Sequence, residues 1–592
     1  MTRPLTLTLS FLACSLLALE AKAGYPMVPD ALDPQACNGQ GCWTNHMRVT
    51  DIDGDGSLDI VLANYADFFG GGDDPEPLVI YTNDGSGNFT NVSAAALGNY
   101  SGNHHQIAIG DVDGDGSLDI YAPDASGGVH ALFINDGAGE FTNEADGRLP
   151  PAGEVRGGAA RLGDVDNDGD LDIFVSDAYA SNGPPFGHIW LNDGSGVFDE
   201  LADAIPTSLD GDDIDDLEFF DADRDFDLDL VINPHSGNPA LWLNDGSGMF
   251  AEGGSISPVG PGSNFHYNVA ACDVDGDNDL DLWIDNTGGN YTEQLLINDG
   301  NANFTDMTNM KVSGNPAGSD DNGVVCVDID DDGDFDGVVL ALGSPERLLR
   351  NDGSGNFTYE AGYFPGPTDC TLWGEFGDLN GDARLDLVTS QGECSSSDEV
   401  YLADDQEAVD SMPPRILADE APDVGGGPIR FAVSDNTVSD EGPRLNRAFV
   451  RIDPDGAASE NAAMFMGGDL FRVVMPAVPP EGEVTYQLCA EDLAGNVGCT
   501  DTQTYGGGGG TTTGDETGNE TTGESGGETS GETGSGTSGE TGGNDEVDGT
   551  GDTAGAGDEG GCACSTSDAG GSLGWALLGL LGLGVVRRRR PQ

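Results

Sequence analysis

The sequence predicts an all-β chain: a seven-bladed β-propeller, then a small β-sandwich, a disordered linker and a C-terminal transmembrane segment. Three observations carry the propeller. An acidic nine-residue pattern recurs seven times, as DIDGDGSLD from Asp51, DVDGDGSLD from Asp111, DVDNDGDLD from Asp164, DADRDFDLD from Asp221, DVDGDNDLD from Asp273, DIDDDGDFD from Asp328 and DLNGDARLD from Asp378. A second pattern alternates with it, NDGSGNF from Asn83, NDGAGEF from Asn135, NDGSGVF from Asn192, NDGSGMF from Asn244, NDGNANF from Asn298 and NDGSGNF from Asn351. The period is roughly 50 to 60 residues, long enough for four short strands, and radial repetition of such units leaves only short protected sheet edges.

The chain opens with a secretory signal over residues 1–23. Arg3 supplies the positive charge, Leu5 to Leu19 the apolar stretch, and Ala21-Lys22-Ala23 the small-residue cleavage site, so the mature chain begins at Gly24. A lipoprotein signal at Cys14 is the alternative, although the preceding Phe-Leu-Ala is a poor match. Export permits disulfides. Cys37 and Cys42 close a short loop, Cys370 and Cys394 lie equally far from Asp382, and Cys489 and Cys499 flank a turn. Cys272 and Cys326 precede successive acidic loops at different offsets, which leaves their pairing open.

Residues 24–412 form the predicted propeller. Each acidic loop lies between strand-like runs, such as HHQIAIGD before and LDIYAPD after the second copy, and so joins two strands as a hairpin. The runs LVIYT, ALFI, HIWL, ALWL, QLLI and RLLR give a third strand. Asn-Asp-Gly supplies the positive φ of the next turn, and the aromatic residue after it starts a fourth strand. Phe89, Phe141, Phe198, Phe250, Phe304 and Phe357 are expected to pack between units. The seventh unit lacks that last turn, so its fourth strand must come from Gly24 to Pro34 or from the stretch after Asp405.

The loops carry the chemistry. Carboxylates at positions 1, 3, 5 and 9 converge with a carbonyl at position 7, which suits a hard cation taking six to eight oxygens, and calcium is the expected ion. The candidate ligands are Asp51, Asp53, Asp55 and Asp59; Asp111, Asp113, Asp115 and Asp119; Asp164, Asp166, Asp168 and Asp172. They continue with Asp221, Asp223, Asp225 and Asp229; Asp273, Asp275, Asp277 and Asp281; Asp328, Asp330, Asp332 and Asp336. An EF-hand is excluded, because position 12 is Leu62 in the first copy and Ala122 in the second rather than a bidentate Glu. The plain alternative, a solvated acidic turn, is hard to hold for seven copies in register.

Together the aspartate loop and the NDGSGxF turn resemble the FG-GAP/VCBS repeat family, the calcium-loop propeller of integrin α-subunits and many bacterial surface proteins. The resemblance covers residues 40–405 and implies one calcium per loop between the first and second strands of a blade. It carries well to the loops at Asp51, Asp111, Asp164 and Asp328, and Asn278 tolerates the turn at Asp273. In the fourth copy Phe226 stands where Gly is expected and resists the positive-φ turn. The last copy has Asn380, Ala383 and Arg384, and weak or absent calcium is expected there.

Residues 413–505 lack the loop and alternate as β segments, with TYQLCAEDLAGN resembling the closing hairpin of immunoglobulin-like or fibronectin-like modules. A spacer or accessory adhesive module is expected. Residues 506–561 are Gly, Thr, Ser and Glu with almost nothing apolar, an extended self-repelling linker. Residues 562–592 combine Cys562 and Cys564, an apolar segment extending over 569–586, and Arg587 to Arg590. That order resembles the MYXO-CTERM sorting signal of myxobacteria, which implies a processing protease, display at the cell surface or outer membrane, and possible release. A simple membrane anchor with the arginines on the cytoplasmic side is the alternative.

Lys plus Arg number 21 against 106 acidic residues, a net charge of −85. Such a field excludes nucleic acid, and membrane contact is expected only through the tail. No Ser-His-Asp order, zinc motif or phosphate loop stands out, and no catalysis is expected. His46, His104, His105 and His266 precede their loops by five to seven residues, at the entry of the inner strand, with Trp373 at a comparable place. They are expected to be exposed loop residues, yet they alone keep an enzyme reading open. The expected function is ligand binding at the cell surface, with an extracellular protein or polysaccharide as partner; a propeller-fold polysaccharide lyase or hydrolase is the alternative.

Overall fold

The computed structural model describes residues 24–506 apart from 33–41, 66–74, 152–154, 178–185, 210–213, 259–265, 288–291, 317–320, 367–369, 393, 395, 440–441, 455, 457 and 480–481. The expected signal peptide, most of the expected linker, the expected sorting tail with its apolar segment, and Cys37 lie outside the described residues. No helix among the described residues is long and apolar enough to cross a membrane.

The described chain is almost wholly β. Seven successive antiparallel sheets share one build, in which consecutive strands are neighbours. The first pairs Thr44–Thr50, Asp59–Asn64, Val79–Asn83 and Phe89–Asn91 in that order. The first strands of the others are Ala108–Gly110, Gly157–Gly163, Ile214–Phe220, Val269–Cys272, Asp321–Val327 and Thr371–Gly377. Sheets five and six gain a parallel fifth strand, Ser255–Ile256 and Val312–Ser313, beyond the predicted four. Every acidic loop joins the first and second strands of a sheet, with the first residue after position 8 opening the second strand, as Asp59 does opposite Thr50.

Between each two consecutive sheets lies an apolar cluster. Ile52, Ile80, Ile109 and Phe133 join sheets one and two, and Phe220, Leu241, Leu282 and Phe304 join four and five. Val49, Ile60, Tyr81, Leu379 and Val388 join sheets one and seven in the same manner. Phe198, Phe250, Phe304 and Phe357 are buried in these clusters as expected. Phe89 and Phe141 also pack against clusters between units, on the rim, where they are half-buried. Sheet seven has three strands of its own, and the N-terminal segment completes it. Met27 bridges Tyr401, the Val28 amide donates to Val400 O at 2.8 Å, and Tyr25 is buried beside Phe364 and Phe376.

Residues 415–506 build two facing sheets. One runs Arg415–Asp419, Gly427–Ser434, Leu470–Met475, Met464–Gly467. The other has Ser459–Ala462, Leu445–Ile452 and Glu483–Asp492, the last flanked by Val497–Cys499 and Gln503–Gly506. Phe431, Val450, Val473 and Leu488 fill the space between them. This part is docked, not a free spacer. Ala432, Met466 and Leu470 enter the apolar cluster of sheets three and four, the Asp164 amide donates to Met466 O at 2.6 Å, and the Asp328 amide donates to Asn436 O at 2.8 Å. Arg430 donates to Asn167 Oδ1 at 3.0 Å and Phe226 O at 2.8 Å, so the acidic loops form the seat.

Disulfides join Cys272 to Cys326, Cys370 to Cys394 and Cys489 to Cys499. The first ties sheet five to sheet six, the pairing that spacing left open. Cys42 is also disulfide-bonded.

Candidate metal-binding loops

All seven loops share one backbone path. Positions 4 and 6 are left-handed throughout, from Gly54 and Gly56 in the first copy to Gly381 and Ala383 in the seventh. In the fourth copy Arg224 and Phe226 both adopt φ +65°. Phe226 therefore does not break the turn, contrary to expectation. The left-handed strain of roughly 1 to 2 kcal/mol for a residue bearing Cβ is carried by the surrounding bonds. Its amide donates to Asp221 Oδ2 at 3.0 Å, and the Arg430 guanidinium stands 5.9 Å over its ring.

Position 1 closes the loop. Asp51, Asp111, Asp221, Asp273, Asp328 and Asp378 each accept the amides of positions 5 and 6, for example Asp55 N at 3.0 Å and Gly56 N at 2.9 Å on Asp51. Position 5 accepts the amide of position 7, as Asp115 does from Ser117 at 2.8 Å. Position 9 is buried and latches three elements together. Asp172 Oδ2 accepts Val165 N at 3.0 Å and Oδ1 accepts Asn192 N at 2.8 Å, and Asp59, Asp119, Asp229, Asp281 and Asp386 repeat both bonds.

The geometry brings the predicted ligands together. Oxygens of Asp51, Asp53 and Asp59 lie within 4.8 Å of one another, as do those of Asp111, Asp113 and Asp115, of Asp164, Asp166 and Asp172, of Asp221, Asp223 and Asp225, and of Asp273, Asp275 and Asp281. Oδ1 of Asp113, Asp223 and Asp275, all at position 3, is buried with no hydrogen-bond partner, and so are both oxygens of Asp164. An unpartnered buried carboxylate oxygen is costly, and it is the donor a divalent cation needs. Burial pushes the Asp172, Asp229 and Asp281 carboxyls up to about 8, and those of Asp59 and Asp119 up to about 7. Burial thus disfavours the charged form of these groups, and a cation bound beside them would favour it.

Sequence reading missed the asparagine of the NDG turn. Asn192 Nδ2 donates to Leu171 O of its own loop at 3.0 Å and to Val112 O of the preceding sheet's loop at 2.7 Å. Asn135, Asn244, Asn298 and Asn351 do the same, and Asn83 reaches Leu379 O of the seventh loop at 2.8 Å. The signal was present: a plain hairpin turn does not need Asn two places before Gly in six copies.

The histidines are not exposed, which corrects that expectation. His46, His104 and His266 are fully buried. His104 Nδ1 lies 2.7 Å from Pro123 O and His266 Nδ1 lies 2.8 Å from Asp285 O, the same latch in two sheets. The His46 ring packs 4.5 Å from that of Trp373. Another polar cluster lies at the inner-strand entries. His235 Nδ1 is 2.5 Å from Asp215 Oδ2, Gln106 Nε2 donates to Asp215 O at 3.0 Å, and the Tyr267 and Tyr65 rings stand beside His235 and His105. His235 gave no sequence signal, because it follows the second strand, outside both repeats.

Comparison with known proteins bears on these loops. Residues 51–122, 125–175, 225–284 and 328–389 match the FG-GAP-like repeat, stretches that hold the loops at Asp51, Asp111, Asp164, Asp273, Asp328 and Asp378. The chain carries FG-GAP-like repeats. It is 25% identical over 411 residues to cartilage acidic protein 1 of Xenopus tropicalis, an alignment taking in 62% of this chain and 61% of that protein. The chain thus spans about three fifths of this relative's length. Among solved structures, the plexin A4 extracellular region aligns at TM-score 0.35 and 9% identity over 82% of this chain and 62% of that one. An exo-inulinase from Aspergillus awamori aligns at TM-score 0.23 and 9% identity over 79% and 94%. Overlap at that level carries no information on function.

Proposed function

We propose that the protein is an exported, calcium-stabilised seven-bladed β-propeller displayed at the cell surface, where it binds an extracellular protein or polysaccharide and performs no chemistry of its own. The observation that carries the calcium reading is the set of buried, unpartnered position-3 oxygens on Asp113, Asp223 and Asp275, repeated in loops whose other carboxylates converge on the same point. Positions 1 and 3 with 5 or 9 would hold the ion, which supplies charge neutralisation and fixes the loop. Ring closure is supported by the apolar cluster between sheets one and seven and by the Asn83 bond to Leu379 O. Export is favoured by the disulfides and by a relative named for cartilage. Differential scanning calorimetry with and without a chelator tests the calcium reading: an unchanged melting curve refutes it.

A binding role follows from a rigid scaffold whose acidic loops are occupied by structural duties, leaving the inner-strand entries as the candidate ligand face. A glycan array on the calcium-loaded protein, run beside a depolymerisation assay, tests it. The alternative enzyme reading, a polysaccharide lyase or hydrolase, is favoured by one observation, the Asp215–His235 pair with His105 close by, which is an arrangement able to serve as a general base. Depolymerisation lost in His235→Ala would replace the binding reading with that one. Surface display through a sorting tail is tested by C-terminal peptide mapping of native protein: an intact Arg587 to Arg590 terminus refutes processing.

A further inference from the structure

Loop six departs from its siblings in one bond. In the other six loops Oδ2 of the position-9 aspartate accepts the amide of position 2, from Ile52 on Asp59 at 3.1 Å to Leu379 on Asp386 at 2.9 Å. In loop six Asp336 Oδ2 instead accepts the Arg350 guanidinium, Nη1 at 2.6 Å. The same Nη1 lies 2.9 Å from Asp330 Oδ2, so one nitrogen bridges positions 3 and 9. Arg350 immediately precedes the staple asparagine Asn351, and the corresponding residues are Thr82, Ile134, Leu191, Leu243 and Ile297, all uncharged.

We infer that Arg350 is a tethered cation that closes loop six to calcium, an inference that rests on the calcium reading of the other loops. A calcium ion bound there would need those two oxygens at about 2.3–2.6 Å, in the space the nitrogen holds. Two cations on the same carboxylates repel, and the guanidinium is always charged. Arg148 and Lys311 touch position 3 in loops two and five, yet differently. Each lies 3.5 and 3.4 Å from Oδ2 of Asp113 and Asp275, leaves Oδ1 buried and unpartnered, and spends its closer bond on a carbonyl of the next sheet's turn, Ser195 O or Ser354 O. Those loops keep an open donor. Loop six also meets the sandwich, since the Asp328 amide donates to Asn436 O at 2.8 Å, and it holds the chain entering the sandwich through the Ser411 and Met412 amides, which both donate to Asp331 Oδ1 at 3.1 Å. A built-in cation keeps these contacts formed whatever the calcium concentration.

The test is calcium stoichiometry of the full chain by equilibrium dialysis and elemental analysis. Arg350→Leu, the side chain found at this place in sheets three and four, gains one calcium over the wild type, and Arg350→Lys gains none. Independently of whether the leucine variant folds, Asp330→Ala leaves the wild-type count unchanged while Asp113→Ala lowers it by one. An Asp330→Ala protein that loses one calcium, or a folded Arg350→Leu protein that gains none, overturns the inference. A wild type that binds no calcium at all overturns the calcium reading itself, and the inference with it.

Discussion

Replacing Asn192 by Ala measures how strongly one sheet is stapled to the next. The side chain is 6% exposed and makes four bonds: Nδ2 to Val112 O and Leu171 O at 2.7 and 3.0 Å, and Oδ1 from Gly194 N and Gly196 N at 3.1 and 3.0 Å. Val112 and Leu171 are buried, so both carbonyls lose a partner that water does not readily replace. At roughly 1 to 2 kcal/mol for each unsatisfied carbonyl, the two carbonyls alone account for about 2 to 4 kcal/mol; the exposed Gly194 regains water, and the buried Gly196 amide adds to the loss. Urea unfolding followed by tryptophan fluorescence suits the assay, because Trp190 is buried two residues before the staple. Asn88→Ala is the control: Asn88 lies in the same kind of turn but is exposed, bonding only Asp84, and its loss is expected within about 0.5 kcal/mol. If Asn192→Ala costs no more than Asn88→Ala, the asparagine is ordinary turn chemistry and the staple argument fails.

Chelation lowers the melting temperature, since a ligand present at 100 times its dissociation constant stabilises by about 2.7 kcal/mol per site, and Asp113→Ala weakens calcium binding by titration calorimetry more than Asp382→Ala in the degraded seventh loop. Replacing Cys272 and Cys326 together by Ala lowers unfolding free energy by about 2 to 4 kcal/mol, because the bridge closes a loop of 54 residues across two sheets; an unchanged urea midpoint refutes that. Burial holds the Asp285 carboxyl well above its ordinary range. The folded state thus keeps a proton that the unfolded state releases above about pH 4, and this group's stabilisation is lost as pH rises toward the raised value. Asp285→Asn gains stability relative to the wild type between pH 5 and pH 8; a difference that is flat with pH contradicts the assignment.

The periodic features were legible because repetition makes local chemistry visible. Asp at alternate loop places, Asn-Asp-Gly turns and apolar runs gave the seven loops, their hairpin position and the strands on either side. The gap left by the missing turn of unit seven also pointed correctly to Gly24 to Pro34 as one of two donors. What escaped was long-range and unrepeated. Phe226 looked incompatible with its turn because its compensation comes from Arg430, some two hundred residues away in sequence. The histidines looked exposed because their latches to Pro123 O and Asp285 O belong to the neighbouring strand. Arg350 reads as one of the two arginines of the run RLLR, and only the fold brings it onto Asp330 and Asp336. The docking of the sandwich rests on a few apolar side chains, single arginines and turn amides, which leave no period to read.

A crystal structure of the calcium-loaded chain with anomalous diffraction data tests the account most directly. Seven sheets in a closed ring with Met27 on sheet seven are expected, with anomalous peaks inside the loops at Asp51, Asp111, Asp164, Asp221 and Asp273, and a guanidinium without a metal at Asp330 and Asp336. Loops without anomalous density at saturating calcium, or a ring left open between the first and seventh sheets, would contradict it.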